Sequence, residues 1–423
     1  MSETILRAHR FRLDPTAEQE AYFRRACGVR RMAYNWALER WNQQYAEHRT
    51  DPKKFERPNA RRLRKEFNRI KRDKWPWIAE VSSRIPETAI KDLGKAWNNF
   101  FEALKRGDKT FRKPRYAVRG RHDRFYVHQA EIDPRGSGNY IVERRVRVGA
   151  FTKIGSVRCR ESQRFDGHVQ GGAVVRDGRH WYLAVQVRLP HVAESHPTGG
   201  QVGIDMGVAN VAALSSGELI EGPVARLEAI ERQLRMAKRV ASRRWSGRIR
   251  RGQAASALRD EAGQQLPASQ RYRKQQDRVR VLEKRKRDVR REFLHRLSTD
   301  IVRRFELVAV EDLQLRNMTR SAKGTASAPG KNVAAKAELN RRLLSASLGE
   351  LRRQLEYKTA ACGGSVVAVP AMYTSQRCSE CGHTAKGNRK TQACFCCEKC
   401  GHEDHADLNA AKNILAAALN GQE

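Results

Sequence analysis

The spacing of hydrophobic and polar positions changes several times along the chain, and each change marks a different kind of element. From Ile5 to Leu13 apolar and polar residues alternate as on a strand with one buried face, and Thr16-Ala17-Glu18-Gln19 then forms a capping box that opens a helix. Three- and four-residue spacings run through Val29 to Tyr45, Ala60 to Ile70 and Ser82 to Leu104, so this stretch is predicted to be mostly helical. Trp36, Trp41, Trp75, Trp77, Trp97, Phe100 and Phe101 accompany these helices and are read as core rather than as base-stacking platforms.

From Lys109 to Arg124 the pattern turns basic and irregular around Lys113-Pro114-Arg115. Short strand-like runs follow at Phe125 to Val127, Tyr140 to Val142, Ser156 to Arg158 and Ala173 to Val175. Asp177-Gly178 is a hairpin signal that returns the chain as Trp181 to Val187. Short strands at regular intervals predict a small sandwich or barrel. The Pro-, Gly- and Ser-containing stretch from His191 to Gly200 reads as a domain boundary.

Beyond it, Gln201 to Leu214 predicts two strands around Asp205-Met206-Gly207. Leu227, Ile230 and Leu234 form one apolar helical stripe, and Leu282, Val289, Phe293, Leu297 and Ile301 form another. Leu307 to Val310 reads as a buried strand that delivers Glu311, and Asn317 to Lys336 is polar and small. One helix is expected from about Ala337 to Ala361, stopped by Gly363-Gly364. Val366 to Val369 adds a strand and Asp407 to Leu419 a final alanine-rich helix.

Charge changes the picture. The 423 residues carry 84 Lys+Arg against 47 Asp+Glu, a formal net charge of +37, far too basic for an ordinary metabolic enzyme. Such a surplus implies a polyanionic partner, because neutralising phosphates releases condensed counterions. Much of it clusters between and opposite the two apolar stripes, at Arg243, Arg244, Arg248, Arg250, Arg251, Arg271, Arg273, Lys274, Arg285 and Arg287, with Lys284, Lys286, Arg290 and Arg291 nearby. Acidic partners at helical spacing look too few to neutralise this set, which is therefore read as contacting nucleic-acid phosphates. No apolar run is long enough to span a membrane and no secretory signal is evident, so a cytoplasmic, nucleoid-associated location is expected. The length alone suggests about two to four domains.

Six of the nine cysteines fall between Cys378 and Cys400. Cys378-x-x-Cys381 and Cys397-x-x-Cys400 are each followed directly by glycine, the pattern of two knuckles that together close a structural zinc tetrahedron. Cys394, Cys396, His383 and His402 are surplus; any of them could serve as an alternative ligand, and filling around the finger is the favoured reading. Three acids also stand out by position. Asp205 and Glu311 each end an apolar strand, and Asp407 opens the last helix. A parallel or mixed sheet would place such carboxylates at one edge, where hard oxygen ligands suit Mg2+ or Mn2+ and phosphodiester chemistry.

With these blocks in place the chain resembles the transposon-encoded TnpB nucleases, ancestors of the compact type V CRISPR effectors. Gly203-Ile204-Asp205-Met206-Gly207-Val208, Val310-Glu311-Asp312-Leu313 and Asp407-Leu408-Asn409-Ala410-Ala411-Lys412-Asn413-Ile414 are similar to that family's three RuvC motifs. Tyr373 to His383 resembles its zinc-finger opening, and Phe11 to Thr16 with Tyr34-Asn35-Trp36 its N-terminus. The resemblance implies an α/β multidomain protein. Its parts would be a wedge-type β-barrel (1–15 and 115–192), an inserted helical recognition domain (16–114), an RNase H-like RuvC nuclease domain (201–372 and 404–423) and an inserted zinc finger (373–403). It implies cleavage of target double-stranded DNA, directed by a guide RNA, beside a short adjacent motif; a monomer is expected rather than an oligomer. A CRISPR effector of the same mechanism and a nuclease-inactive guided repressor are the alternatives. Asp205, Glu311 and Asp407 map onto the catalytic metal-binding acids, and Cys378, Cys381, Cys397 and Cys400 onto the zinc ligands. The third motif departs from many relatives, with His405 where they carry an acid, which leaves Asp404 as a rival to Asp407. The segment near Gly324 looks like the family's lid loop.

Overall fold

In a computed structural model of the chain, the described residues are 4–108, 112–120, 123–133, 136–147, 154–190, 196, 198–246, 269–325 and 328–421. They divide into two compact units, Met1–His191 and Val192–Glu423.

The first unit begins with β1 (Thr4–Asp14) and three helices, α1 (Ala17–Thr50), α2 (Ala60–Lys74) and α3 (Arg84–Lys105). Thr16 caps α1 through the reciprocal Thr16–Gln19 box that the sequence predicts. After them come β2 (Arg124–Val127), β3 (Arg145–Arg147), β4 (Ser156–Cys159), β5 (His168–Asp177) and β6 (His180–Pro190). The strands pair antiparallel in the order β2-β5-β6-β1-β4-β3. Barrel closure is not part of that pairing: β2 and β3 are its ends among the described residues.

Inward residues Phe11, Leu13, Phe125, Val174 and Leu183 meet Tyr22, Phe23 and Ala26 of α1 in one buried core. Trp41 and Trp97 stack at 5.6 Å inside it, and Trp36, Trp75, Phe100 and Phe101 are partly buried against it. Trp77 does not follow the core reading. It lies in a 3-10 turn and is 45% exposed. The expected strand at Tyr140 to Val142 is instead the start of a tight turn, with Glu143 and Arg144 both at positive φ and Val142 bridging Arg145. Neither residue carries the Asn-Gly signature of such turns, so the sequence did not announce it.

In the second unit the strands are β7 (Gln201–Asp205), β8 (Ala212–Leu214), β9 (Leu219–Ile220), β10 (Leu307–Glu311) and β11 (Ser365–Val369). They form a mixed sheet of order β11-β10-β7-β8-β9, parallel across β11, β10 and β7 and antiparallel beyond. Two long helices, α4 (Val224–Ser246) and α5 (Gln270–Arg304), make an antiparallel pair sealed by Leu234, Ala237, Val279 and Leu282.

The helix expected over 337–361 is two helices, α6 (Val333–Ala346) and α7 (Leu348–Ala361), broken at Ser347, which takes a left-handed φ of 57°. The break redirects the chain so that Leu343, Leu348, Leu351 and Leu355 all reach the core formed by Val202, Ile204, Val308 and Val310. On the opposite face Leu307, Ala309 and Val369 meet Ile414 and Ala418 of α8 (Ala406–Asn420). Sheet between helices makes this unit α/β, and the chain as a whole an α/β multidomain protein. Between β11 and α8 a small two-stranded ladder, β12 (Cys394–Cys396) with β13 (Glu403–His405), lies within the cysteine-rich segment. Among the described residues no helix is long and apolar enough to cross a membrane.

Candidate active site and metal centre

Parallel pairing of Ile204 with Val310 makes Asp205 and Glu311 neighbours at the carboxyl ends of β7 and β10. Asp407 joins them from the first turn of α8, which packs directly on β7 where Gly203 has no side chain. The consequence is electrostatic. Burial pushes the Asp205 carboxyl up to about 7, and the negative charges of Glu311 and Asp407 push the same way, opposed by Arg389. Burial also raises Glu311, against the hydrogen bond from Thr374 and the charge of Arg389.

Each acid is held by a neighbour. The Thr374 hydroxyl donates to Glu311 Oε1 at 2.5 Å, Asn210 Nδ2 donates to Asp407 Oδ2 at 3.2 Å, and Arg389 donates to Asp407 Oδ1 at 3.0 Å. Sequence reasoning missed Asn210 and Arg389, and quoted Thr374 only as part of a motif. A single Asn or Arg in a loop has no periodicity to betray it; only the fold brings it to the acids.

Asp404 is not in this group. Its carboxylate accepts from Lys412 Nζ at 2.8 Å and from the His405 amide, while His405 Nδ1 caps α8 by accepting from the Asp407 amide. The departure at His405 is thus a helix cap.

The second metal-type cluster is the cysteine set. Sγ atoms of Cys378, Cys381, Cys397 and Cys400 all lie within 4.8 Å of one another, with Cys378–Cys400 at 3.7 Å and Cys381–Cys397 at 3.6 Å. A tetrahedron with Zn–S bonds of about 2.3 Å has an edge of about 3.8 Å, so the donors and the geometry both fit zinc. The two knuckles are built alike. The Cys378 and Cys397 amides donate to the carbonyls of His383 and His402, and Gly382 and Gly401 take left-handed φ values of 70° and 72°, where a side chain would be strained. Cys394 and Cys396 sit on β12, outside the cluster. Asn388 ties the knuckles together through the carbonyls of Gln376 and His383 and the amide of Glu398. Asn409 and Asn413 of α8 bind the carbonyl of Arg377, which anchors the finger to the helix that carries Asp407.

The three carboxylates are less tightly gathered: among the described residues only the four thiols form a group whose ligand atoms all lie within 4.8 Å. Hard, partly buried oxygen donors, two of which raise the pKa of the third, Asp205, fit a divalent cation of the Mg2+ or Mn2+ kind.

Of the basic set, Arg243, Arg271, Arg273, Lys274, Arg285 and Arg287 are exposed on the α4–α5 pair. Arg244 is spent on the Arg271 carbonyl and Gln275, Lys284 pairs with Asp288, and Lys286 with Glu231. Arg248, Arg250 and Arg251 lie outside the described residues. The first unit adds a concavity that the sequence did not reveal, of about 700 Å³, where Arg57, Lys91, Lys95 and Lys105 surround Trp41 and Phe101. The segment near Gly324 is drawn into a loop by a bridge between Gly324 and Pro329.

The chain is similar to known proteins along nearly its whole length. Residues 184–322 match the family described as "Probable transposase", residues 349–414 the Cas12f1-like TNB domain, and residues 1–50 a helix-turn-helix domain, although this last span forms β1 and α1 here. A protein of Escherichia coli strain K12 named RNA-guided DNA endonuclease InsQ is 33% identical over 413 residues, spanning 97% of this chain and 92% of the relative. An RNA-guided DNA endonuclease of Streptomyces pristinaespiralis is 29% identical over 99% of this chain and 91% of its own length. The fold is shared with the protein of a solved Cas12f1–sgRNA–target DNA complex, at a TM-score of 0.53 and 15% identity over 97% of this chain and 98% of the other.

Proposed function

The chain belongs to the TnpB family of RNA-guided DNA endonucleases, and from that premise we propose that it cuts target double-stranded DNA, chosen by pairing with a guide RNA, beside a short adjacent motif. One observation carries the reading. Asp205, Glu311 and Asp407, remote in sequence, come together at one end of a mixed sheet, where burial, with the charges of Glu311 and Asp407 adding to it, raises the Asp205 pKa to about 7. We read 201–372 and 404–423 as an RNase H-like RuvC nuclease domain and 373–403 as its zinc finger. In the same reading 1–15 and 115–192 form a wedge domain, and 16–114 a helical recognition domain. One chain supplies all three acids, in keeping with action as a monomer.

Asp205, Glu311 and Asp407 would hold Mg2+ or Mn2+, which supplies polarisation of the scissile phosphodiester and a water acidic enough to attack it. The chain's own residues prepare that site. Thr374 fixes one oxygen of Glu311, and Asn210 and Arg389 fix the two oxygens of Asp407. Arg389 keeps guanidinium donors beyond its bond to Asp407, suited to a phosphate oxygen. The exposed arginines of α4 and α5 and the basic concavity of the first unit suit the backbone of guide and target, which a protein grips by charge without reading sequence. The finger would hold structural Zn2+ and so keep Arg389 and Thr374 in place.

The test is cleavage by protein co-purified with its guide RNA, in Mg2+, of a DNA matching that guide. Asp205→Ala should abolish cutting and leave target binding within about twofold. Full activity in that variant would refute the assignment.

A further inference from the structure

Beside the carboxylates the second unit holds a cavity of about 470 Å³, whose walls include Ala209, Leu227, Arg290, Phe293, Leu339 and Gln392. Its position is fixed by two chain neighbours of the active site. Ala209 precedes Asn210, whose amide holds Asp407. The Gln392 carbonyl accepts from the same Arg389 nitrogen that donates to Asp407, at 2.8 Å against 3.0 Å. The cavity therefore borders the groups that position a catalytic acid.

Its lining mixes apolar walls with a few polar groups. Leu227, Phe293 and Leu339 give it apolar walls, and its size falls within the range of about 300–1,000 Å³ of pockets that seat one small ligand, too small for a duplex. Arg290 donates from its Nη2 to Ser345 Oγ at 3.2 Å, while its Nε is buried without a hydrogen-bond partner. Buried donors are nearly always paired in folded proteins, so this one wants an acceptor. Two acids are on the wall: Glu231 is neutralised by Lys286 and Arg341, and Glu228 is exposed, with Arg341 and Arg342 on the same wall to offset it.

We infer that this cavity seats a single unstacked, carbonyl-bearing nucleobase of the DNA strand being cut, next to the phosphate presented to Asp205, Glu311 and Asp407. The inference rests on the nuclease reading. Occupancy of the cavity sets the register of the phosphate at the carboxylates, and the strand is read there by shape and by one donor rather than by pairing.

The experiment uses guide-loaded protein and matched DNA whose cut strand carries one abasic residue at each position around the cut in turn. Wild-type protein should slow about tenfold with the abasic residue at one position, the scale of losing one stacked base. Leu339→Trp fills the cavity from a side chain that is 44% exposed. This variant should bind target as wild type does, cut intact DNA about tenfold more slowly, and lose nothing further at that abasic position. Equal sensitivity at every position in the wild type, or a penalty in Leu339→Trp that simply multiplies with the abasic one, overturns the pocket. If Leu339→Trp loses target binding, Arg290→Gln takes its place under the same criteria. A wild-type complex that cuts no DNA at all would instead sink the nuclease reading, and that result is seen before any variant is made.

Discussion

Gly203 on β7 lies against Ala411 of α8 so closely that a Cβ at Gly203 would stand 2.1 Å from the Ala411 carbonyl oxygen. The backbone of a helix cannot yield as a flexible side chain can, so any residue but glycine must push α8 off the sheet. That contact sets the distance from Asp205, two residues along β7, to Asp407 at the start of α8. Gly203→Ala should therefore cost about 1–3 kcal/mol of stability by overpacking and lower the cleavage rate at least a hundredfold, the scale seen when catalytic groups are misplaced by about 1 Å. Thermal unfolding together with single-turnover cleavage checks it. A variant with wild-type cleavage would show that α8 can move without disturbing the acids.

The four thiols should behave as one structural unit. Cys378→Ser or Cys397→Ser is expected to lower bound zinc from about one ion per chain to well below half. Because the finger carries Arg389 and anchors to α8 through Asn409 and Asn413, cleavage should fall with it. Cys394→Ser and Cys396→Ser should keep a full zinc complement. Metal analysis of the purified variants decides, and loss of zinc on replacing Cys394 or Cys396 would overturn the ligand assignment.

Much of this site was legible in sequence, for identifiable reasons. Asp205 and Glu311 follow runs apolar enough to be buried strands, and paired CxxC knuckles, each followed by glycine, have few other uses. The parallel register that aligns the two strand ends was only implied, since pairing partners leave no mark on a single strand. Arg389, Asn210 and Thr374 were invisible because each acts through a long-range contact. The break at Ser347 was hidden too: Ser is an ordinary helix residue, and a left-handed φ there follows from where Leu343 and Leu348 must go. Trp77 failed the opposite way, its helical spacing suggesting burial that the 3-10 turn does not deliver.

Burial of Asp205 carries a signature in stability against pH. Its folded-state pKa of about 7 lies above the usual value of about 3.9, so between these two the folded chain holds a proton that the unfolded chain releases. Folding is then favoured at low pH, and the stability is lost as pH rises through about 7, at up to about 1.4 kcal/mol per pH unit. Without added Mg2+ or Mn2+, the melting temperature should fall from pH 5 to 7.5, and Asp205→Asn should flatten that fall and melt higher than wild type at pH 7.5. A wild-type profile rising with pH over this window, with no difference in the variant, would mean that Asp205 is not buried beside like charge as the fold implies.

Arg389 allows two readouts that move in opposite directions. Its guanidinium donates to Asp407 and opposes the raised pKa of both Asp205 and Glu311. Removing it leaves the acids with less positive charge beside them, so a divalent cation meets less electrostatic competition, and Arg389→Ala should bind Mn2+ severalfold more tightly. Cleavage should nevertheless drop by roughly a hundredfold, the scale for losing one preorganised donor at the site of developing charge. Arg389→Lys keeps the charge without the planar fork; it should restore the Mn2+ affinity toward wild type and recover cleavage only in part. Isothermal titration with Mn2+ and single-turnover rates on the same preparations separate the two effects. If affinity and rate fell together in Arg389→Ala, Arg389 would be a prop for the finger, and its place beside Asp407 would be packing without chemistry.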